Sequence, residues 1–472
     1  MILPVSEKKC KRILTGRRYD FKLQPFLSRD ARKGAGNMKK NTIWTNTALL
    51  VASNILVRIL GLGYKVWLSR MLTAESLGVY QLSMTVYMLF ITPIASGLPN
   101  VISRLSASCM ARGEKEAARG VLRRGLTVAG CVALLSGAVM LCCAPMLSSL
   151  ILKNSTAWIV VLALIPGVVL GGIGAVPCGY LHAAGHSGTN ALSEVLEQTI
   201  KILSVVLLFH MLQPEGVRLN DVSAAALAAA GISIGGIFSY LFIRWRTGSL
   251  RGAVSPVSAK RICLSAAPLT ANRLIGSLAG MITASLVPHC LLNTGMTSAE
   301  ALAAYGVLTG MALPIVFLPS TVTSAVSVVL LPNIAKTRAA YGIRAAEKKI
   351  NRVLFYVFLM GIPAALLICI IAMPLGRLLY HNVQAGQYML MLAPSTLFSG
   401  LNQVGSTILN ALGREGKTFK INLISALMSL ILTFALTPIL GIPGYILATT
   451  IQGVLSFGMV FFSIRRSLAA ER

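Results

Sequence analysis

The sequence predicts an all-α polytopic membrane protein with about 12 transmembrane helices, in two six-helix lobes around a central cavity. Of the 472 residues, 55% are hydrophobic and only 12% are charged, and the mean hydropathy is +0.74. Apolar runs of about 20 residues recur along the chain, and each is long enough to cross the hydrocarbon core of a bilayer as a helix. This composition excludes an ordinary water-soluble enzyme.

The order of the apolar runs sets the expected topology. The predicted spans are 46–67, 77–98, 125–148, 157–180, 191–212, 222–243, 262–284, 303–330, 353–374, 387–411, 421–439 and 442–463. After residue 43, the segments that follow even-numbered spans contain 23 Lys and Arg residues, against 4 in the opposite loops. Because cytoplasmic loops are enriched in basic residues, we expect both termini to be cytoplasmic.

The composition also excludes several other functions. The formal net charge is +29, but the basic residues follow the topology and no nucleic-acid-binding motif accompanies them, so we expect no nucleic-acid partner. The three Asp residues, Asp20, Asp30 and Asp221, lie outside the spans, so the Asp-rich metal sites of membrane glycosyltransferases cannot form. The sequence has no P-loop and no Cys or His residues at metal-ligand spacing. We therefore expect no metal, no cofactor and no enzymatic activity.

An internal repeat predicts two related halves. The tripeptide Leu-Pro-Asn at 98–100 recurs at 331–333, an offset of 233 residues, and residues 75–80 resemble 300–305 at an offset of 225. The difference of eight residues between these offsets predicts an insertion or deletion within span 2 or span 8. Each copy has six spans, an even number, so both copies should have the same orientation about an axis along the membrane normal.

The predicted domain organisation follows from this repeat. Residues 1–37 carry ten basic and three acidic residues without an apolar run, so they are not a signal peptide and we expect disorder. Met38 is the expected start of the protein, and a genuine tail lying on anionic lipid is the alternative. The domains are a basic tail (1–43), an N-lobe (44–250), a C-lobe (251–466) and a short cytoplasmic tail (467–472).

Four basic residues lie inside predicted spans, namely Arg58, Lys65, Lys201 and Arg273. At a helix centre facing lipid each would cost about 2.5 to 3.5 kcal/mol, so each should line a wet cavity or pair with another group. In span 1, Asn54, Arg58 and Lys65 share one helical stripe, which predicts a binding surface. Lys65 is close enough to the helix end that snorkelling to the interface is an alternative.

Three further spans carry candidate residues. In span 5, Glu194 and Glu197 are the acids, and Lys201 lies one turn after Glu197, which predicts either a structural ion pair or a substrate or coupling role. Glu194 is expected to be protonated or to pair with Arg58 or Arg273. The other polar candidates are Asn272 beside Arg273 in span 7, and Gln403 and Asn410 on a stripe of span 10 that suits either cavity lining or helix–helix bonding.

Several motifs carry a resemblance to a known family. They are Arg58-Ile-Leu-Gly61-Leu-Gly-Tyr-Lys65, Leu77-Gly78-Val-Tyr80-Gln81, Ser96-Gly97-Leu98-Pro99-Asn100 and Leu409-Asn-Ala-Leu412-Gly413-Arg414. As a set they resemble the polysaccharide exporters of the stage V sporulation protein B type, within the multidrug, oligosaccharidyl-lipid and polysaccharide (MOP) flippase superfamily. The resemblance implies two lobes around a cavity that opens alternately to each membrane face, in the bacterial cytoplasmic membrane. It matches Arg58 to a cavity arginine of the related lipid II flippases.

The sequence thus predicts a flippase for an undecaprenyl-pyrophosphate-linked saccharide, coupled to an ion gradient or to the membrane potential, and working as a monomer among membrane lipids. Arg58 and Arg273 would bind the phosphates, one from each lobe, while Glu197 and Lys201 would position the sugar or respond to a proton. A cation-coupled multidrug exporter is the first alternative, although it would want more intramembrane carboxylates. A membrane-embedded saccharide-modifying enzyme is the second.

Overall fold

The structure is a computed structural model that describes residues 40–152, 154–212, 220–250 and 255–470. Within these ranges the chain forms helices and turns, and no strand is present. The predictions made above for residues 1–37 lie outside the described part of the chain.

The first half of the chain provides spans 1 to 6. Its helices are α1 (Lys40–Met71), α2 (Ala74–Ala95), α3 (Gly97–Ala111), α4 (Lys115–Leu150), α5 (Trp158–Pro166), α6 (Gly172–Ala183), α7 (Ser187–Leu212) and α8 (Asp221–Thr247). Span 2 is interrupted at Ser96, which separates α2 from α3 shortly after Pro93, a residue that cannot donate to the helix ladder. Span 4 consists of α5 and α6, joined by a π-helical turn at Gly167–Gly171.

The second half provides spans 7 to 12. Its helices are α9 (Ala259–Leu292), α10 (Ser298–Gly306), α11 (Leu313–Val316), α12 (Ser320–Tyr380), α13 (Val383–Ala411), α14 (Glu415–Leu440) and α15 (Ile442–Ala469). A π-helical turn, Val307–Ala312, joins α10 to α11. Gly342, with φ 77° and ψ −179°, interrupts α12 and so separates the end of span 8 from span 9.

Most of the predicted spans are apolar enough to cross a membrane by length and composition alone. Ten helical segments of the described residues meet that condition. The two predicted spans outside this set are α1 and α13. These are two of the helices for which the sequence predicts a polar stripe, and such a stripe lowers the hydrophobicity of a helix that lines a cavity or bonds to a neighbour.

Several turns that follow even-numbered spans share one helix ending. After α6, Gly185 (φ 77°) donates its amide to the carbonyl three residues earlier, and the next amide donates to the carbonyl five residues earlier. After α13, Gly413 (φ 71°) and the residue after it make the same two hydrogen bonds. After α3, Gly113 (φ 80°) and the residue after it again make these two hydrogen bonds, so the same helix ending follows spans 2, 4 and 10.

The two ends of the helix bundle differ in charge. Because successive spans are antiparallel, the turns at Gly113, Gly342 and Gly413 lie at one end, together with most of the basic loops. We call this the basic end. We call the other the opposite end, where α1 ends at Met71 and α12 ends at Tyr380.

Buried apolar side chains hold the helices together. The larger cluster joins the two halves and includes Leu77 and Val86 of α2 with Leu302 and Leu308 of the α10 region. A smaller cluster joins α12, α13, α14 and α15 through residues such as Ile334, Leu354, Leu401, Ile421 and Ile464. The helices that surround the cavity therefore rest on packed neighbours, so the positions of their inward-facing side chains are fixed.

Candidate functional site

A cavity of about 490 Å³ lies between the two halves of the protein. Its walls are α1 and α2 from the first half, and α9 with the α10–α11 region from the second. The volume falls within the usual range for small-molecule sites. The lining residues are Lys65, Gln81, Met84, Thr85, Met88, Ser277, Gly280, Met281, Tyr305, Thr309, Leu313, Pro314 and Phe317.

The described lining of the cavity combines neutral polar groups, apolar side chains and the cation Lys65. Lys65 is the charged residue among the described lining residues, and none of them is a carboxylate. The neutral polar groups include the Gln81 amide and the hydroxyls of Thr85 and Thr309. Methionine, proline and leucine side chains with Phe317 form the rest of the wall. Such a site attracts an anion or a neutral polar group and offers a cationic ligand no counter-charge.

Helices α2 and α10 pack against each other on the side of the cavity toward the opposite end, and we call this contact the seal. A Cβ on Gly78 would lie 2.0 Å from the carbonyl oxygen of Leu302, and a Cβ on Gly306 would lie 2.5 Å from the amide nitrogen of Gly78. Only glycine permits two helix backbones to approach so closely. These helices begin spans 2 and 8, so equivalent elements of the repeat meet at this seal.

Arg70 makes a second link between the halves at the opposite end. Its Nε donates to the carbonyl of Leu379 at 2.9 Å and its Nη2 to that of Leu378 at 3.2 Å, in the last turn of α12. Carbonyls in a last helical turn have no partner within the helix, and the negative end of the helix dipole favours a cation there. Arg70 therefore ties the end of span 1 to the end of span 9.

The predicted phosphate-binding arginines lie one or two turns from the cavity, toward the basic end. Arg58 precedes Lys65 by seven residues on the same stripe of α1, and its Nη1 donates to Thr321 Oγ1 of α12 at 2.8 Å. Arg273 precedes the cavity residue Ser277 by one turn of α9 and is exposed. The structure brings Lys65 into the cavity wall and leaves Arg58 and Arg273 outside the described lining.

The neighbouring asparagines share this position. Asn54 lies one turn before Arg58, and Asn272 directly precedes Arg273, and both are exposed. The two asparagines therefore flank the arginines on the side of the basic end.

In α7 the structure differs from the expected ion pair. Lys201 Nζ donates to Gln198 Oε1 at 2.6 Å and lies 5.2 Å from the centre of the Tyr64 ring. Glu197 still interacts electrostatically with Lys201, while Glu194 is exposed on the same helix. Residues three and four apart both lie on one helix face, so spacing alone does not select between Gln198 and Glu197 as the partner.

Gln403 joins two helices. Its Oε1 accepts from Thr323 Oγ1 at 2.9 Å and its Nε2 donates to Ser324 Oγ at 2.7 Å, so it ties α13 to α12. Asn410 is half-buried near the end of α13, and its carbonyl accepts from the amide of Gly413. Of the two roles left open for the span 10 stripe, these contacts of Gln403 are helix–helix bonds.

The sequence did not identify most of the cavity residues. Gln81 belongs to one of the family motifs, but the sequence assigns it no role. The sequence predicts no role for Thr85, Ser277 or Thr309 either. Gln81 and Thr85 lie four residues apart, a spacing that places them on one face of α2 and that was available as a signal. Each is uncharged and costs less to place in a membrane helix than a charged residue does, so neither stands out as an intramembrane charge does.

Comparison with known proteins extends these observations. The polysaccharide biosynthesis protein family matches residues 43–338, and the MatE family matches residues 268–435. Stage V sporulation protein B of Bacillus subtilis (strain 168) is 27% identical over 429 residues, which cover 89% of this chain and 82% of that protein. The lipid II flippase MurJ of the same strain is 23% identical over 449 residues, with the same two coverages.

Solved transporter structures share the fold. One is a multidrug resistance MATE family transporter of the MOP superfamily in an inward-facing conformation. It superposes on this chain with a TM-score of 0.69 at 16% identity, and the match covers 89% of this chain and 98% of the transporter chain. A MOP superfamily transporter from Pyrococcus furiosus, described by the reverse polarity of its binding pocket, has a TM-score of 0.65 at 16% identity and covers 91% and 96%. These likenesses confirm the predicted two-lobed, twelve-helix membrane fold. The chain therefore belongs to the polysaccharide biosynthesis protein family and has the transporter fold of the MOP superfamily.

Proposed function

We propose that this transporter is a flippase that moves an undecaprenyl-pyrophosphate-linked saccharide, such as a peptidoglycan or polysaccharide precursor, to the outer leaflet of the bacterial cytoplasmic membrane. The observation that carries the proposal is the charge of the cavity region. Lys65 is in the wall, and Arg58 and Arg273 lie one to two turns away on the same helices. Lys201 of α7 interacts electrostatically with Lys65 and with Glu197, so the four cations of this region stand against the two carboxylates of α7, Glu194 and Glu197, and its net charge is positive.

A pyrophosphate diester matches this charge. It presents two negative charges, and a guanidinium can donate two parallel hydrogen bonds to phosphate oxygens. Arg58 and Arg273 come from different halves, and in this proposal each half contributes one guanidinium to the pyrophosphate. The likeness to a lipid II flippase over most of the chain supports a lipid-linked substrate.

The closed end of the cavity supports a transport cycle of alternating access. With both termini in the cytoplasm, the basic end faces the cytoplasm and the seal of Gly78 and Leu302 faces outward. A substrate would enter from the cytoplasmic side and leave when α2 and α10 separate. The N-lobe (44–250) and the C-lobe (251–466) would then move against each other within one monomer, driven by an ion gradient or by the membrane potential.

A multidrug exporter is the second candidate, because the MatE family matches residues 268–435. The lining argues against it: a cationic drug would meet Lys65 and no carboxylate among the described lining residues. The neighbour from Pyrococcus furiosus, for which the reverse polarity of the binding pocket suggests a different function, shares this fold with a multidrug resistance transporter.

Transport by the purified protein in proteoliposomes tests the proposal. We expect translocation of a fluorescent undecaprenyl-pyrophosphate-linked saccharide and none of a cationic dye. Arg58→Ala should abolish that translocation, and Arg246→Ala should not, because Arg246 is an exposed arginine at the end of α8 whose guanidinium lies over the Trp245 ring. Transport of the dye without the lipid would favour the multidrug exporter instead.

A further inference from the structure

The cavity offers hydrogen-bond donors and acceptors that the protein itself leaves unused. Gln81 lines the cavity, and its Nε2 is buried with no hydrogen-bond partner among the described residues, so rotation of the terminal amide presents this donor to a ligand. The hydroxyl groups of Thr85 and Thr309 donate within their own helices, to the carbonyls of Leu82 and Tyr305 respectively, at 2.7 Å in each case. Their oxygens keep lone pairs for the cavity.

This pattern matches a saccharide better than a phosphate. A sugar hydroxyl both donates and accepts, so it can accept from the Gln81 amide and donate to a threonine oxygen. A pyrophosphate only accepts, so it has no use for the oxygens of Thr85 and Thr309. An amide donor left unpaired in a buried site is costly, which favours a ligand that satisfies it.

The apolar wall fits the same ligand. Met84, Met88 and Met281 line the cavity together with Phe317. These side chains can pack against the C–H faces of a sugar ring or the methyl of an acetamido group, and methionine adapts its shape to the group it meets. A site that combines a few oriented polar groups with an apolar wall is typical of pockets that bind small neutral groups.

The paired cations lie elsewhere along the same helices. Arg58 is two turns from Lys65 on α1, and Arg273 is one turn from Ser277 on α9, both toward the basic end. Seven residues of helix span about 10 Å. The two places are therefore about as far apart as the two ends of a small head group.

We propose that the cavity is a saccharide subsite formed by Gln81, Thr85 and Thr309, and that the head group enters saccharide first, with its pyrophosphate held behind at Arg58 and Arg273. This inference rests on the proposed function and adds the orientation of the substrate and the residues that recognise its sugar. Lys65 then faces the saccharide or the inner phosphate from the wall of α1.

Binding of two lipids to the purified protein tests the subsite. The probes are undecaprenyl pyrophosphate and undecaprenyl pyrophosphate that carries one N-acetylhexosamine. We expect the parental protein to bind the sugar-bearing lipid more tightly. Gln81→Leu should weaken binding of that lipid about tenfold and leave the sugar-free lipid unchanged, because one buried hydrogen bond is lost. Arg58→Ala should weaken both lipids.

A double variant keeps the test independent of the folding of Gln81→Leu. Thr85→Val with Thr309→Val removes two acceptor oxygens at almost constant volume, and it should also weaken only the sugar-bearing lipid. The matched control is Thr407→Val, because the hydroxyl of Thr407, like that of Thr309, donates to a carbonyl four residues earlier but lies outside the described cavity lining. The control should bind both lipids as the parental protein does.

Three results would overturn the inference. Equal weakening of both lipids by Gln81→Leu and by the double threonine variant would mean that these residues act on the phosphate or on the fold. Unchanged binding in both variants would mean that the sugar lies elsewhere. If the parental protein binds neither lipid, the proposed function itself fails, and this is seen before any variant is made.

Discussion

Gly78 of α2 lies against the backbone of Leu302 of α10, so close that a Cβ on Gly78 would be 2.0 Å from the Leu302 carbonyl oxygen. The two helices start spans 2 and 8, which correspond in the predicted repeat, so this contact joins corresponding elements of the two halves. Glycine is required because even one methyl group would overlap the neighbouring backbone. Any motion that opens the opposite end must break this contact.

We expect Gly78→Ala to shift the protein toward conformations that are open at the opposite end. The added methyl cannot fit while α2 and α10 are in contact, so the closed state loses stability relative to the open one. The distance between spin labels at Met71 and Met296, exposed residues of the two halves at that end, should lengthen.

Gly130→Ala is the matched control for that substitution. A Cβ at Gly130 of α4 would meet nothing within 4 Å, so the label distance should not change. An unchanged distance in Gly78→Ala would show that the helices relax without opening, and the seal would then not depend on glycine.

Arg70→Ala should loosen the same end by a different route. It removes both hydrogen bonds to the last turn of α12, and we expect a loss of about 1 kcal/mol in the free energy of unfolding. Arg70→Lys should lose less, since one ammonium can still reach one carbonyl. Thermal unfolding in detergent measures both, with Arg377→Ala, an exposed arginine near the same end, as the control. Equal losses in Arg70→Ala and Arg377→Ala would speak against a specific link.

Arg58→Ala and Arg273→Ala should each abolish transport while leaving folding nearly intact. Each removes a guanidinium that we propose binds the phosphates, and among the described residues Arg58 gives up its hydrogen bond to Thr321. Lysine at either position should retain part of the activity because it keeps the charge without the bidentate geometry. Transport and thermal stability are measured on the same preparations. A large drop in thermal stability in an Ala variant would identify that arginine as structural. Transport at the parental rate in a folded Ala variant would also contradict a role in phosphate binding.

Gly413→Ala should destabilise the protein by about 1 kcal/mol, because alanine is unfavourable in the left-handed conformation that Gly413 adopts at φ 71°. A Cβ there would meet no neighbouring atom within 4 Å, so the cost is conformational and not a clash. Gly416→Ala, three residues on in α14 and equally unobstructed, is the control and should be neutral or slightly stabilising. Equal midpoints of thermal unfolding in the two variants would contradict this account.

The transmembrane architecture was readable from the sequence because burial in lipid demands long apolar runs. The predicted span 157–180 falls on α5 and α6, and the predicted span 421–439 falls inside α14. Details that depend on local backbone geometry were not readable. The π-helical turn at Gly167–Gly171 is one example, since no spacing of apolar residues distinguishes it from continuous α-helix.

The candidate site was only partly predictable. A charge inside a span attracts notice because it is expensive, and for this reason the sequence singles out Lys65, which lies in the cavity wall. Whether a neutral residue such as Gln81 faces a cavity or a neighbouring helix depends on how the helix is rotated, and packing of the whole bundle decides this. For Lys201 the sequence offered two partners on one face, and the side chain bonds to Gln198.

The eight-residue difference between the two repeat offsets corresponds to a longer stretch in span 8 than in span 2. The stretch of span 8 between Tyr305 and Leu331 is the longer copy, and it contains the π-helical turn Val307–Ala312 and the break between α11 and α12. Thr309, Leu313 and Phe317, which belong to the cavity wall, all lie in this stretch. If the protein arose by duplication of one six-helix unit, the copies diverged in length at the wall of the cavity, so a symmetric ancestor would have lacked this pocket in its present shape.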